Sequence, residues 1–178
     1  MASIGGTVRD LIQAALADAD PDGAARWQAI TLLQARGDQE TFTEARRLCG
    51  AGTSEERVLG VDILGQLGRP GLPFAGRSLP LLRRVAAADH DPMVLYSVLI
   101  TFGHLKDPRA LPSVIELAGH EDPRVRYGAA YALPNVLGEP PDEEGLRVLT
   151  RLTDDPDGDV ADWAALGLAL ACGDDVED

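Results

Sequence analysis

A helix-forming pattern occurs five times along this chain, and this repetition constrains the fold more than any other feature. The best-formed copy reads DPRVRYGAAYALPNVLG, from Asp122 to Gly138. Its Asp can accept hydrogen bonds from the N–H groups of a first helical turn, and its first Pro lies where a missing donor costs nothing. Val125, Ala129 and Leu133 then recur every four residues, which is typical of one helical face. The stretch predicts a helix that ends at Gly138.

The other four copies emerge when the pattern is numbered from Val125 as position zero. The zero positions follow one another at intervals of 31, 38, 31 and 35 residues: Ala25, Glu56, Val94, Val125 and Val160. Position eight is always large and apolar: Leu33, Leu64, Phe102, Leu133 and Leu168. The helices predicted from these copies, here called B helices, span about 22–36, 54–67, 91–105, 122–137 and 156–171. A repeat of this period predicts a solenoid.

A second segment with helical apolar spacing precedes each B helix and predicts its partner, an A helix. These segments are Thr7–Ala17, Gln39–Leu48, Gly76–Ala87, Pro108–Ala118 and Asp142–Leu152. No stretch alternates between apolar and polar residues as a strand should. We therefore predict an all-α fold, an α-solenoid (superhelix) of five antiparallel helix pairs in a single domain, 1–178, with an acidic tail at 173–178. Stability in such a fold comes from stacking each pair on its neighbours.

The B-helix pattern resembles the HEAT repeat, in particular the HEAT-like repeats of phycobilisome lyases, whose pattern is roughly D-P-x-V-R-x-x-A-A-x-A-L-G. The resemblance covers nearly the whole chain. It implies that the B helices line a concave surface, and that an Arg after position zero joins a ladder with Asp between neighbouring repeats. This Arg is present as Arg26, Arg57 and Arg126 and is replaced by Leu95 and Ala161 in the other copies. The resemblance therefore implies an interrupted ladder.

The charge of the chain is concentrated in its second half. Residues 1–89 carry 10 Lys/Arg and 11 Asp/Glu, whereas residues 90–178 carry 6 and 18. Such a surface repels phosphate, which argues against a nucleic-acid ligand. It favours a basic partner, and solubility is the alternative explanation. The sequence has neither an apolar run that could span a bilayer nor a signal-peptide pattern, so we expect a cytoplasmic protein without a membrane partner. The use of 15 Arg against one Lys indicates a bacterial source with GC-rich DNA.

The candidate binding site comes from positions two, six and ten of the B helices, which lie on one stripe of each helix. All three tyrosines of the chain fall on these stripes, and Tyr and Trp supply much of the binding energy at protein interfaces. The predicted partner-binding patch comprises Tyr96, Ile100, His104, Tyr127, Tyr131, Asn135 and Trp163, with Asp62, Gln66 and Asp162 at its edges. The alternative interpretation is that the aromatic residues pack along helix seams with only their polar tips exposed.

Catalytic and metal-binding motifs are not evident in the sequence. His90, His104 and His120 are not spaced from the cysteines as metal ligands would be. The acidic run Asp154–Asp159 alternates carboxylates as a calcium loop does, but it lacks the required Gly and the Glu at the twelfth position, so it predicts a helix cap. There is no G-x-S-x-G motif, P-loop or dinucleotide fingerprint. We expect neither enzymatic activity nor a cofactor.

Two classes of function fit this pattern. The first is a non-enzymatic scaffold or adaptor that binds a protein or peptide, with a basic partner favoured. In one version it is an inhibitor that covers the active site of a basic nuclease or toxin, as an immunity protein does. The alternative follows the lyase resemblance and is a chaperone-like subunit that attaches or isomerises a chromophore on a carrier protein. In a third interpretation the chain is one segment of a longer solenoid.

Overall fold

The computed structural model describes residues 6–20 and 22–173, and every regular element within these ranges is helical. The ten α-helices are α1 (Val8–Ala17), α2 (Ala24–Arg36), α3 (Gln39–Leu48), α4 (Ser54–Leu67), α5 (Ala75–Ala88), α6 (Pro92–Leu105), α7 (Leu111–Leu117), α8 (Pro123–Val136), α9 (Glu143–Leu152) and α10 (Gly158–Cys172). A 3-10 turn, Pro108–Ala110, precedes α7. The even-numbered helices are the predicted B helices, and the predicted helices are confirmed. The acidic tail beyond Gly173 lies outside the described residues.

Side chains just before α8 and α10 explain where these two B helices begin. Asp122 accepts a hydrogen bond from the backbone N–H of Arg124 at 2.9 Å, and Pro123 takes the first helical position. Asp157 accepts from the N–H of Val160 at 3.2 Å. Each bond satisfies one of the donors that the first turn of a helix leaves without an intrahelical partner. The acidic run before α10 is therefore a helix cap, as predicted.

The chain folds as two compact units, unit 1 (Met1–Leu82) and unit 2 (Arg83–Asp178), and the boundary between them lies within α5. The single domain over 1–178 stays a prediction. In unit 1, α1 packs against α2, α3 packs against α4, and α2 also contacts α4. The core of unit 1 contains Ile30, Leu33, Leu48 and Leu64, each at most 1% exposed. Position eight of the first two copies therefore lies in the core.

Gly60 allows α3 and α4 to approach closely. A Cβ atom at this position would lie 2.7 Å from the backbone nitrogen of Cys49 and 2.8 Å from the carbonyl oxygen of Ala45. Both contacts are with backbone atoms, so an added methyl group has to push the two helices apart. We expect Gly60→Ala to lower the free energy of unfolding of unit 1 by about 1–3 kcal/mol, measured by urea denaturation.

The matched control for Gly60→Ala is Gly76→Ala, in α5. A Cβ atom at Gly76 would meet no other atom within 4 Å. This substitution only restricts the unfolded chain, and we expect it to raise the free energy of unfolding by about 0.5 kcal/mol. Equal effects of the two substitutions would contradict the close approach of α3 and α4.

Unit 2 is arranged around α8, which packs against α6 on one flank and α10 on the other. The A helices α7 and α9 contact α8 and each other. Phe102 and Leu133, at position eight, are fully buried. Gly128 lets α8 come close to α6, because a Cβ atom there would lie 3.0 Å from the Cβ of Leu99. The result is a row of three B helices, α6, α8 and α10, that carries the candidate site.

The arginines after position zero bind acidic side chains and backbone carbonyl oxygens near the B helices. Arg126 donates from Nε and Nη2 to the carboxylate of Asp155, at 2.8 and 2.9 Å, and so joins α8 to the turn before α10. Arg26 donates to Asp62 at 2.6 Å and joins α2 to α4. Arg57 donates to the carbonyl oxygen of Ala51 at 3.3 Å. Arg57 and Arg126 share one arrangement, because each donates from Nη1 to the carbonyl oxygens five and six residues before it.

Candidate functional site

The stripes at positions two, six and ten point away from the helical core. The structure describes all fifteen residues at these positions, and none of them is buried. In contrast, four of the five residues at position eight are fully buried, and Leu168 is half-buried. In unit 2 the three stripes lie on neighbouring helices, so residues far apart in sequence come together on one surface.

Five rings of unit 2 form a continuous row across α6, α8 and α10, which we call the aromatic face. Its members are Tyr96, His104, Tyr127, Tyr131 and Trp163. The ring centroids of Tyr96 and Tyr127 are 6.3 Å apart. The indole of Trp163 lies 5.8 Å from both Tyr127 and Tyr131, and His104 lies 5.8 Å from Tyr131. The last three contacts are edge-on, an arrangement that the charge distribution of aromatic rings favours.

The rings of the aromatic face are packed on one side and open on the other. The ring of Tyr131 lies against the backbone of α6, since a Cβ atom on Gly103 would be only 2.6 Å from its Cε1. All three tyrosines are half-buried, whereas Trp163 is 37% exposed. The rings therefore pack along the helix seams and still present part of their surface to solvent. Each of the two interpretations of the sequence describes part of this geometry.

The other residues of the predicted patch are placed as follows. Ile100 is half-buried on α6, between Tyr96 and His104, and Asp162 is exposed beside Trp163. The side chain of Asn135 donates to the backbone oxygen of Tyr131 at 3.1 Å. The remaining two, Asp62 and Gln66, lie in unit 1. The carboxylate of Asp62 accepts from Arg26 there and so has a structural partner.

A groove that the sequence analysis missed lies at the end of the aromatic face where α6, α8 and α10 begin. Its volume is about 320 Å³, and its lining includes Met93, Tyr96, Arg124, Tyr127, Asp157 and Asp159. Met93, Arg124 and Asp159 all occupy position minus one of their repeats, three residues before position two. Residues three apart are neighbours on a helix surface, so the stripe extends by one turn towards the N-terminus of each helix. A comparison of position minus one between the copies is the sequence signal that indicates this extension of the stripe.

The charges around the groove have distinct partners. The guanidinium of Arg124 forks onto the carboxylate of Asp122, with Nε–Oδ1 at 3.0 Å and Nη2–Oδ2 at 2.7 Å, and this holds the pKa of Asp122 at about 2. Burial, followed by the negative charge of Asp159, raises the pKa of Tyr127. Asp157 accepts a hydrogen bond from the backbone N–H of Val160, and Asp159 lies two residues further along the chain. These two acidic residues make the side of the groove at the start of α10 negative.

Metal and membrane sites receive no support from the described part of the chain. Within 6–20 and 22–173 there is no group of three or more His, Cys, Asp and Glu side chains that could hold a metal ion. None of the described helices has the length and apolar character needed to cross a bilayer.

Solved structures similar to this chain are helical repeat proteins. YibA of Escherichia coli matches with a TM-score of 0.69 at 21% identity, over 99% of this chain and 67% of YibA. A structure of the CpcE–CpcF complex of phycocyanin lyase from Nostoc matches with a TM-score of 0.70 at 18% identity, over 90% of this chain and 96% of the matched chain. A designed armadillo repeat protein in complex with the peptide (KR)4 matches with a TM-score of 0.52 at 16% identity, over 92% and 82%.

The solved structures establish the fold class, and the family model establishes the family. At these identities the solved structures establish the fold alone, and they confirm an all-α solenoid of HEAT-like repeats. No curated protein sequence matches the chain. The family model for HEAT repeats matches residues 52–133 and, in an overlapping second match, residues 79–169, which together cover more than half of the chain. The chain therefore belongs to the HEAT repeat family.

Proposed function

We propose that this protein is a non-enzymatic adaptor that binds a basic protein partner through the aromatic face of unit 2. The observation that carries the proposal is the continuous row of half-exposed rings across three helices, from Tyr96 to Trp163. Such rings combine a large apolar area with polar tips and lose little conformational freedom on binding, which is why they dominate interface energetics.

Exposed apolar side chains extend the aromatic face. On α6, Met93 is 37% exposed, and on α10 Leu166 and Leu170 are 41% and 62% exposed. Large apolar side chains grouped on one surface of a protein are typical of interaction sites. The grouping supports contact with a folded partner or with an extended protein segment.

The charge distribution supports a basic partner. Residues 90–178 contain 18 Asp/Glu and 6 Lys/Arg, and three of the acidic residues, Asp157, Asp159 and Asp162, lie beside the rings of the aromatic face. An acidic surface speeds the approach of a basic partner and disfavours acidic ones. The designed armadillo repeat protein described above binds the peptide (KR)4, so a helical repeat fold can accommodate a basic peptide. We propose a cytoplasmic setting for this interaction, and inhibition of a basic enzyme remains one version of it.

The test is capture of partners from a lysate of the source organism by wild-type protein and by the triple variant Tyr96→Ala, Tyr127→Ala, Tyr131→Ala. We expect at least one basic protein to bind the wild type and to be lost with the triple variant, because truncation of an aromatic hot-spot residue costs about 2 kcal/mol or more. Circular dichroism should show that the variant keeps its helical content, since the three rings are half-buried rather than core residues.

The matched control for the tyrosine variant is Glu116→Ala, Arg147→Ala, Thr150→Ala. These three residues are exposed on α7 and α9, outside the aromatic face, and their combined change leaves the net charge unaltered. The control should capture the same protein as the wild type. If the tyrosine variant also captures it, and capture fades only with added salt, the proposal is wrong and the acidic surface itself is the binding element.

The second candidate is a chaperone-like role in attaching or isomerising a chromophore. The fold likeness to a subunit of phycocyanin lyase favours it, and the groove offers ring surfaces on which a conjugated molecule could stack. Among the residues that the structure describes, those lining the groove do not include a cysteine nucleophile. Visible absorbance of the protein purified from its source would support this candidate and count against the adaptor.

A further inference from the structure

The groove between α6, α8 and α10 has two chemically different sides. The side formed by Met93, Tyr96 and Tyr127 is largely apolar, and the opposite side carries the carboxylates of Asp157 and Asp159. A volume of about 320 Å³ is at the lower end of the range for ligand pockets, so the groove fits one or two side chains rather than a larger ligand.

The net charge of the groove favours a cation. Arg124 is the only cation among the described residues that line it, and its charge is offset by the fork onto Asp122. Nη1 of Arg124 lies 3.4 Å from the sulfur of Met93, so the guanidinium is held against α6 as well. The two aspartates at the start of α10, the N-cap Asp157 and Asp159, then determine the sign of the potential, and an anionic ligand would meet both of them.

We propose that the groove binds an arginine side chain from an exposed segment of the partner. This inference rests on the proposed function and names the chemistry that the groove recognises. The aliphatic stem of the arginine packs on Met93 and Tyr96, and the guanidinium lies between the ring of Tyr127 and the carboxylates of Asp157 and Asp159. Contact of a cation with an aromatic face and pairing with carboxylates are both favourable, and they act on the same group here.

Arginine fits this groove better than lysine does. Its guanidinium is planar, so it can stack on a tyrosine ring while its fork of N–H donors reaches two carboxylates. The ammonium of lysine is compact and strongly hydrated, so it has no planar surface to stack on the ring and loses more hydration on entering the groove. The geometry therefore predicts a preference for arginine over lysine at equal charge.

The experiment measures fluorescence anisotropy of labelled octapeptides of alternating serine and arginine, at about 150 mM salt, where the Debye length is about 8 Å. The counterparts contain lysine or uncharged citrulline in place of arginine. We expect the arginine peptide to bind wild-type protein, and the double variant Asp157→Asn, Asp159→Asn to weaken binding at least about tenfold. Asn at 157 still caps α10, so the fold is preserved.

The matched control is Glu116→Gln, Glu139→Gln, which removes two charges from exposed positions of unit 2 outside the groove. It should change the affinity by about twofold or less, because distant exposed charges are screened. Four results would each overturn the arginine site. The first two are equal losses of affinity in the two double variants and no binding of the arginine peptide to the wild type. The other two are binding of the citrulline peptide or of the lysine peptide to the wild type with the same affinity as the arginine peptide.

Partner capture separates failure of this inference from failure of the proposed function. A partner that is lost with the tyrosine variant but kept by Asp157→Asn, Asp159→Asn would overturn the arginine site while leaving the adaptor intact. Loss of the partner with both variants, together with preferential binding of the arginine peptide, would support both proposals.

Discussion

Replacing Phe102 with alanine is expected to lower the free energy of unfolding of unit 2 by about 3–5 kcal/mol, the usual cost of deleting a buried phenylalanine ring. Phe102 is 0% exposed and occupies position eight of α6, where every copy of the repeat carries a large apolar residue. The neighbouring helices cannot collapse fully into the space that the ring leaves, so lost packing adds to the lost transfer free energy.

The two tryptophans allow this loss to be assigned to one unit. Trp27 lies in unit 1 and Trp163 in unit 2, so urea unfolding in a Trp27→Phe background reports on unit 2 through Trp163 fluorescence. Leu168 is the half-buried residue at position eight of the last copy, so Leu168→Ala should lower the free energy of unfolding less than Phe102→Ala does. Leu170→Ala, at a side chain 62% exposed, should change stability by less than about 0.5 kcal/mol. A cost below about 1 kcal/mol for Phe102→Ala would contradict a core packed around position eight.

The fold could be predicted from sequence because the information that specifies it is local and repeated. Three kinds of local signal specify the helices, and each acts within a few residues of chain. They are a capping carboxylate such as Asp122, a proline such as Pro123, and apolar residues spaced three and four apart. The same pattern in five copies then distinguishes a helical repeat from an isolated helix. For this reason the helices were predicted correctly, and α10 begins at the acidic run that the sequence identified as a cap.

The candidate site could be predicted only as a set of stripes. Helical spacing places Tyr127 and Tyr131 on one side of α8, but it contains no information on how close another helix comes. The contact between Tyr131 and α6 depends on the missing side chain of Gly103, and the contacts of Trp163 depend on the packing of α10 against α8. Such contacts are set by tertiary packing, which spacing along a single helix does not encode.

The surroundings of Asp62 and Asp159 depend on contacts between helices, which the spacing within one copy does not indicate. Asp62 shares the position of Tyr131 in its repeat, yet it pairs with Arg26, which is 36 residues away in the chain. Nothing in the spacing of single copies indicates this pairing. Asp159, at position minus one, lies three residues before position two, so a stripe made of positions two, six and ten does not include it. The groove it lines requires three helix ends to be compared together, since no single copy contains more than part of it.

Replacing Arg126 with methionine is expected to lower the free energy of unfolding of unit 2 by about 2–3 kcal/mol. Its guanidinium makes two bonds to Asp155, at 2.8 and 2.9 Å, and donates to the carbonyl oxygens of His120 and Glu121 at 3.0 and 2.9 Å. The side chain of Asp155 is only 5% exposed, so the substitution leaves a carboxylate largely out of water without its cation. Arg126→Lys should recover only part of the loss, because an ammonium cannot fork onto two oxygens.

The pH dependence gives this prediction a second measurement. The hydrogen bonds from Arg126 lower the pKa of Asp155 below its value in the unfolded chain. A group whose pKa is lowered by folding stabilises the protein above its unfolded pKa of about 3.9, and this contribution fades as the pH falls through the folded value. Asp155→Asn should therefore reduce the loss of stability below about pH 4. Asp122, with a pKa of about 2, still contributes its own part to that loss.

The exposed pair between Arg124 and Asp122 is the comparison that decides whether burial of the ion pair matters. Both pairs are arginine–aspartate forks, but the side chain of Arg124 is 57% exposed, against 15% for Arg126. Water already solvates the exposed guanidinium, so Arg124→Met should change stability less than Arg126→Met. A double-mutant cycle with Arg126→Met and Asp155→Asn should give a clear coupling energy. Additive effects in that cycle, or equal effects at Arg124 and Arg126, would mean that the link between α8 and the turn before α10 contributes no more than a surface ion pair.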